Sequence, residues 1–464
     1  MSDPSNISRR DFCRAAAALL ACGATARGQE QADQAASRLR VATFQCDVTP
    51  PLGHPIYPSY QPLAEVEQPL MAKGIVLDDG RRRYVLCAVD WCVMANSTHL
   101  TLRQKAAAAA GTEASCIAVQ TVHQHTAPMV DADAQKILDG TESPPPYLHW
   151  KYLDAVNNRL TVAIKQSLAS LHPFDRLGTG QAKVERVASS RRIITPDGKF
   201  HGRLSAGAKS KLLAELPEGN IDPFLKTITL AQGDKPLVRL HYYATHPQSF
   251  YNDPRASIDF PGIAREKLQE EEGVFQVYFT GCAGDVAAGK YNDGSRAVRD
   301  ELTKRMLEGM KASIAATRFA PAVRPEWTTA SLLLSPKTEG DYSLSKLREQ
   351  LTDLKQKPLS RIRAARGIAF HQRSDRPIEL CALHFGRIHI LHLPGEPMVA
   401  FQQYAQQLRP DDFVAVAGYG EGCPCYICTE QAFSEGGYEP TASAVLPESE
   451  GKLKTAIRQL LGVE

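Results

Sequence analysis

Runs of β-branched and aromatic residues at 41–48, 74–77, 84–89 and 116–121 alternate with stretches of helical periodicity at 98–110 and 152–171. A two-residue and a 3.6-residue pattern cannot substitute for one another. A chain that switches between them is therefore confined to a few layered architectures. The alternation resumes with strands at 225–230 and 237–244, then a helix at 261–272 with Pro261 in its first turn. A strand at 274–279 and a helix at 297–316 follow, then strands near 328–334, 378–385 and 387–393 and helices at 399–408 and 450–461. The pattern predicts an α/β fold, a mixed sheet flanked by helices. No internal repeat is visible. The segment 318–374 is more polar and helical, as an insertion or subdomain would be, yet no linker marks its edges. One domain from 40 to 464 is the simplest division.

Composition narrows the function classes. With 464 residues, 43% of them hydrophobic, the chain can bury a large core. No apolar run approaches the roughly 18 residues needed to cross a bilayer. The formal charge of +3 and the lack of any Lys/Arg run argue against nucleic acid as a partner. The N-terminus reads differently. Ser8-Arg9-Arg10-Asp11-Phe12 precedes a mild apolar run over 15–24 that ends in Ala24-Thr25-Ala26. A basic stretch, a short apolar core and a small-x-small site are the parts of an export signal, here of twin-arginine type over 1–26. An ordinary amphipathic helix is the bland alternative, and Leu19-Leu20-Ala21-Cys22 is a poor lipid-attachment box. Residues 27–39 read as a disordered lead-in, and the expected location is outside the cytoplasm. Of 11 cysteines only Cys423, Cys425 and Cys428 cluster. They could hold a metal, form one local disulfide or stay free, and no fourth ligand stands at the usual spacing.

Three predicted strands end in chemically capable residues. Thr121-Val122-His123-Gln124-His125-Thr126-Ala127-Pro128 carries two histidines at i and i+2, which face one way on extended chain. Such a pair can begin a metal centre or an acid/base site, or be merely structural. Tyr242-Tyr243-Ala244-Thr245-His246-Pro247 is a second strand end, and α/β proteins bind ligands at the carboxyl ends of strands. Leu393-Pro394-Gly395-Glu396-Pro397 is a third, where a Pro-Gly turn can aim a carboxylate outward or simply open the next helix. His389 and His392 on the preceding strand are rival ligands. Gly281 to Gly289 is a glycine-rich loop without the ending of a phosphate-binding loop. Its small residues suit a close approach of backbone to ligand. Tyr426 and Tyr438 lie in a loop rich in glycine and proline.

In this order, and together with Asp47-Val48-Thr49-Pro50-Pro51-Leu52-Gly53 and Tyr438-Glu439, these motifs resemble the catalytic domain of the neutral ceramidases. The resemblance spans nearly the whole chain after the signal. It implies one zinc ion held by His123, His246, Glu396 and Tyr426; the choice of His123 over His125 rests on the resemblance alone. It further implies that His125 stands beside the substrate and that Tyr438, twelve residues after Tyr426, polarises the amide. An arginine, Arg191 or alternatively Arg192, would touch the reaction centre. Gly284, Asp285 and Ala287 would contact substrate. There are departures. Ala287 stands where the family has a serine that contacts the amide, and the loop around Tyr426 carries cysteines instead of the usual Asn-Asp-Tyr. The immunoglobulin-like domain that follows the catalytic domain in that family is expected to be absent.

The leading expectation is thus a zinc-dependent amidohydrolase that cleaves ceramide or another N-acyl amide by metal-activated water. A lipid substrate would bring peripheral contact with a membrane surface. The alternatives are a zinc hydrolase of a non-lipid amide or ester, and an inactive zinc-binding relative. The loss of the motif serine at Ala287 motivates the last of these.

Overall fold

A computed structural model describes residues 39–463. The expected signal and most of the expected lead-in lie outside the described residues. Leu39, assigned from sequence to the lead-in, is fully buried and its carbonyl accepts from the Phe174 amide.

The strands form three larger sheets. The first contains β1 (Arg40–Asp47), β2 (Met71–Asp78), β3 (Arg83–Val89) and β4 (Ile117–Thr121), with the short strand His172–Pro173 at its edge. The second contains β5 (Arg176–Lys183), β6 (Phe224–Gln232), β7 (Lys235–Tyr243) and β8 (Phe275–Thr280), edged by Arg318–Pro321. The third contains β9 (Glu326–Leu332), β10 (Ile378–Phe385), β11 (Ile388–His392) and β12 (Phe413–Ala417). In each sheet three strands run as an antiparallel meander and the fourth joins parallel to the third. A parallel return needs a crossover. Helices α1 (Ser97–Ala110), α3 (Asp259–Glu272) and α7 (Val399–Leu408) supply it in turn. Another helix then packs on the first strand of each sheet: α2 (Trp150–Ser167), α4 (Arg296–Ala315) and α8 (Ser449–Leu461).

The chain is therefore three copies of one βββαβα module. The sequence shows no repeat, because the repeated quantity is an order of elements and not a string of residues. Segment 318–374 is likewise no separate insertion: its first strands join the second and third sheets. Only its helices α5 (Leu344–Thr352) and α6 (Pro358–Gln372), packed together between β9 and β10, interrupt the third module.

Alternate residues explain how the sheets stack. On β3, Val85, Cys87 and Val89 face one buried cluster, while Leu86 and Ala88 face another. On β10, Leu380 and Ala382 divide from Cys381 and Leu383 in the same way. Strands covered on both faces read as near-continuous apolar runs, as these do. The second cluster joins all three sheets through residues such as Leu86, Ala118, Leu240, Phe279, Leu383 and Ala417. None of the described helices is long and apolar enough to cross a membrane.

Candidate metal centre and active-site cavity

Each module sends one strand end to a shared centre. β4 is buried at all five residues, and the chain leaves it through Val122 and His123, whose amides donate to the Val89 and Trp91 carbonyls at 2.8 and 2.9 Å. His123 then takes φ 74°, a left-handed conformation that costs a non-glycine residue on the order of 1–3 kcal/mol. The turn brings its Nδ1 to 2.7 Å from the Cys92 carbonyl. Only a protonated Nδ1 can donate there, so the lone pair of the neutral ring is on Nε2 and faces inward. His246 follows β7, held by its amide to the Val286 carbonyl at 2.9 Å, and its Nδ1 lies 2.6 Å from the Ala283 carbonyl. Its Nε2 is fixed inward for the same reason. Glu396 follows β11. Gly395 at φ 64° makes the turn, and a side chain there would meet the Cys425 carbonyl at 2.7 Å. Glu396 then pairs in parallel with Tyr426 and donates its amide to the Cys425 carbonyl at 2.8 Å.

His123 Nε2, His246 Nε2 and Glu396 Oε2 thus converge, with separations of 3.3, 3.1 and 3.4 Å. Three acceptors this close repel unless a cation lies among them. Donors about 2.0–2.1 Å from zinc at tetrahedral corners are about 3.3–3.4 Å apart, so the triangle fits that ion. Without it a proton must serve. Burial alone would lower the His123 pKa, but the Glu396 carboxylate and Cys92 together outweigh burial and raise it to about 10. Burial, aided by the Arg191 guanidinium, lowers His246 to about 4. Glu396 is held well below the usual carboxylate range: burial opposes this, and the charges and hydrogen bonds of His123 and His246 together prevail.

The remaining expected residues surround the triangle. His125 Nε2 is 3.3 Å from His123 Nε2, and its buried Nδ1 has no partner among the described residues. Burial and the two neighbouring histidines hold it well below its usual pKa, as a neutral ring. Arg191 is buried and donates Nη1 to the Tyr426 hydroxyl at 3.1 Å, with His246 Nε2 at 3.3 Å. Glu439 bridges the two arginines, 3.0 Å from Arg191 Nε and 3.0 Å from Arg192 Nη1. Arg192 also pairs with Glu435 at 2.9 Å and lies over the Phe200 ring. Of the two arginines, Arg191 is the one that reaches the centre. Tyr426 lies nearly parallel to His246, with ring centroids 6.5 Å apart, and Tyr438 meets Tyr426 edge-on at 5.7 Å. His389 and His392 are elsewhere: His389 binds His384 and Asp412, and His392 is buried against Phe279.

A cavity of about 410 Å³ opens on this group, lined by His123, His125, Glu396, Tyr426 and Tyr438 together with residues of α5 and α6. Gly284, Asp285 and Ala287 are not among the residues that line this cavity. They support the ligands' backbone. A side chain at Gly284 would collide with the Glu396 carbonyl at 2.4 Å, and its amide donates to Pro397. Asp285 accepts the Val399 amide at the start of α7 and, through its own carbonyl, the Arg191 amide. Ala287 is fully buried, bridged to His246 and paired with Ser189. Among the described residues Cys423, Cys425 and Cys428 are free thiols and join none of the side-chain groups placed to hold a metal. Sequence reasoning missed Tyr419, whose ring stacks on His123 at 4.3 Å, although the flanking Gly418 and Gly420 mark a close approach. It also missed the Cys92 carbonyl, which no side-chain pattern could reveal.

No protein-family profile matches the chain, and no curated protein matches it by sequence. Solved structures do match in fold. The crystal structure of neutral ceramidase from Pseudomonas aeruginosa superposes with a TM-score of 0.65 at 14% identity, over 92% of this chain and 75% of that one. A ceramidase complexed with C2 gives 0.64 at 14% identity, over 92% and 76%. The match extends over nearly all of the three-module body that carries His123, His246 and Glu396, and the chain shares the neutral ceramidase fold.

Proposed function

We propose that this chain is a zinc-dependent amidohydrolase that cleaves an N-acyl amide, ceramide or a relative of it. The observation that carries the reading is the His123–His246–Glu396 triangle, with both Nδ1 atoms committed to carbonyls and the free donors at zinc-like separations. The likeness to neutral ceramidases supports the amide substrate, because it is a likeness of the whole body that builds the triangle. Tyr426 is the proposed fourth ligand. Burial pushes its hydroxyl pKa well up, so it would bind as phenolate only with a metal ion beside it and with Arg191 donating to it.

When bound, zinc supplies an acidified water and a Lewis acid for the amide carbonyl. The protein's own groups do the rest. His125, neutral and facing the same space as His123, accepts the proton that the attacking water loses and returns it to the leaving amine. Tyr438, half-exposed on the cavity wall, donates its hydroxyl to the carbonyl oxygen as charge gathers there. Arg191 fixes the Tyr426 oxygen and adds positive charge beside the centre, and Glu439 fixes Arg191. Metal analysis of purified protein and hydrolysis of a panel of N-acyl sphingosines, N-acyl amino acids and simple esters test the reading. About one zinc per chain and amide turnover are expected. A stable protein that binds no zinc would overturn it.

A further inference from the structure

Helices α5 and α6 contribute much of the cavity lining, and their share of it is not simply apolar. Leu347, Leu359 and Phe370 line it, but the half-buried Arg366 and, one helical turn before it on α6, the exposed Arg363 line it as well. Among the described residues neither guanidinium has a carboxylate partner. Arg366 has a single polar contact, from Nη2 to the Cys425 sulfur at 3.8 Å, and its buried Nε has none. Most other inward arginines of this chain are paired: Arg265 with Asp90, Arg299 with Glu67, Arg373 with Glu421. Of the acids on the wall, Asp131 acts on the Arg366 charge but spends its hydrogen bonds on the Asp133 and Ala134 amides and on Asn96. The half-buried Arg366 guanidinium, turned into the cavity without a carboxylate, forgoes part of its hydration, and a bidentate carboxylate is the ligand its fork fits best.

Arg366 is also near the chemistry. The residue whose sulfur it touches, Cys425, accepts the Glu396 amide at 2.8 Å through its carbonyl. Arg366 lines the same cavity as His123 and Glu396, so one small substrate can present an anion to the guanidinium and an amide to the triangle. An N-acyl amino acid carries both groups, its carboxylate on the carbon next to the amide nitrogen.

We infer that the substrate is an N-acyl amide with an anionic group on its amine side, an N-acyl amino acid being the simplest case, and that Arg363 and Arg366 bind that anion. The inference rests on the amidohydrolase reading for its chemistry but not for its binding. Accordingly the test reads both. Zinc-loaded protein and the Arg363→Gln, Arg366→Gln and Arg366→Lys variants are assayed with N-lauroylglycine and its uncharged amide, N-lauroylglycinamide, and N-lauroylglycine binding is measured by calorimetry. The expected ratio of kcat/KM favours the carboxylate by about tenfold or more, the size of a charge-assisted hydrogen bond. It should collapse toward parity in the glutamine variants and recover in part with lysine, which keeps the charge. Equal turnover of both compounds, or a preference that the variants leave intact, would overturn the inference while the hydrolase reading stands. If neither compound is cleaved but N-lauroylglycine binds and Arg366→Gln weakens it, the anion site stands and the hydrolase reading falls. No binding and no cleavage overturn both.

Discussion

At His123 a single backbone choice decides what the centre can hold. The left-handed turn is what commits Nδ1 to the Cys92 carbonyl and Nε2 to the interior. Removing a ligand should therefore remove the ion: His123→Ala and Glu396→Ala are expected to lose zinc in metal analysis. Tyr438→Phe should keep it and slow turnover by about two to three orders of magnitude, the usual effect of losing one oxyanion donor. The proton that stands in for the ion gives a pH test. In the metal-free protein the raised pKa of His123 adds stability that is complete below about pH 6.5 and lost as pH rises through about 10. Urea midpoints in the presence of a chelator should thus fall between pH 7 and 10 on this account, and zinc uptake at pH 8 should release a proton into a weak buffer. A midpoint indifferent to pH would refute the placement of that proton. Much of this site was legible beforehand: His123, His246 and Glu396 stand at strand ends where α/β proteins bind ligands. What did not show in the sequence was how the small residues pack: Gly284 meets the Glu396 backbone, and sequence does not say whether a close backbone approach faces a ligand or another strand.

At the scale of elements, support for the centre comes from how loops are pinned to neighbouring strands. Gly284→Ala touches no ligand, yet its Cβ would push the Glu396 carbonyl away. The expected outcome is weaker zinc binding in a competition titration with a chromophoric chelator, in a protein that still folds. Glu439→Ala leaves the buried Arg191 with no carboxylate, and breaking such a pair costs about 3–5 kcal/mol. Denaturant unfolding of the zinc-loaded variant measures it. Most strands and helices were readable within a residue or two, because central strands such as Arg83–Val89 and Ile378–Phe385 are apolar on both faces and helices such as Trp150–Ser167 and Ser449–Leu461 carry one apolar face. Arg176–Lys183 was not: its Gly178 and Gly180 weaken the strand signal, and they are there because Phe319, Thr317 and the Ser313 carbonyl occupy the space a side chain would need.

For the molecule as a whole, the three modules share one topology and meet through one buried cluster, and helices α5 and α6 are the part the third module adds. That addition contributes part of the cavity wall, including Arg363 and Arg366, so on the anion-site reading specificity and metal binding draw on different parts of the chain. Exchanging α5 and α6 residues should alter which amide is taken with little change in zinc content.

The triangle has one more consequence, for the order in which the protein matures. Its corners come from three separate modules, and no pair of modules can assemble it alone. A chain with only two modules docked offers no better a zinc site than a loose pair of side chains. Tight uptake of the ion therefore certifies that all three have closed on each other, and a refolding chain should acquire zinc only in its last kinetic phase.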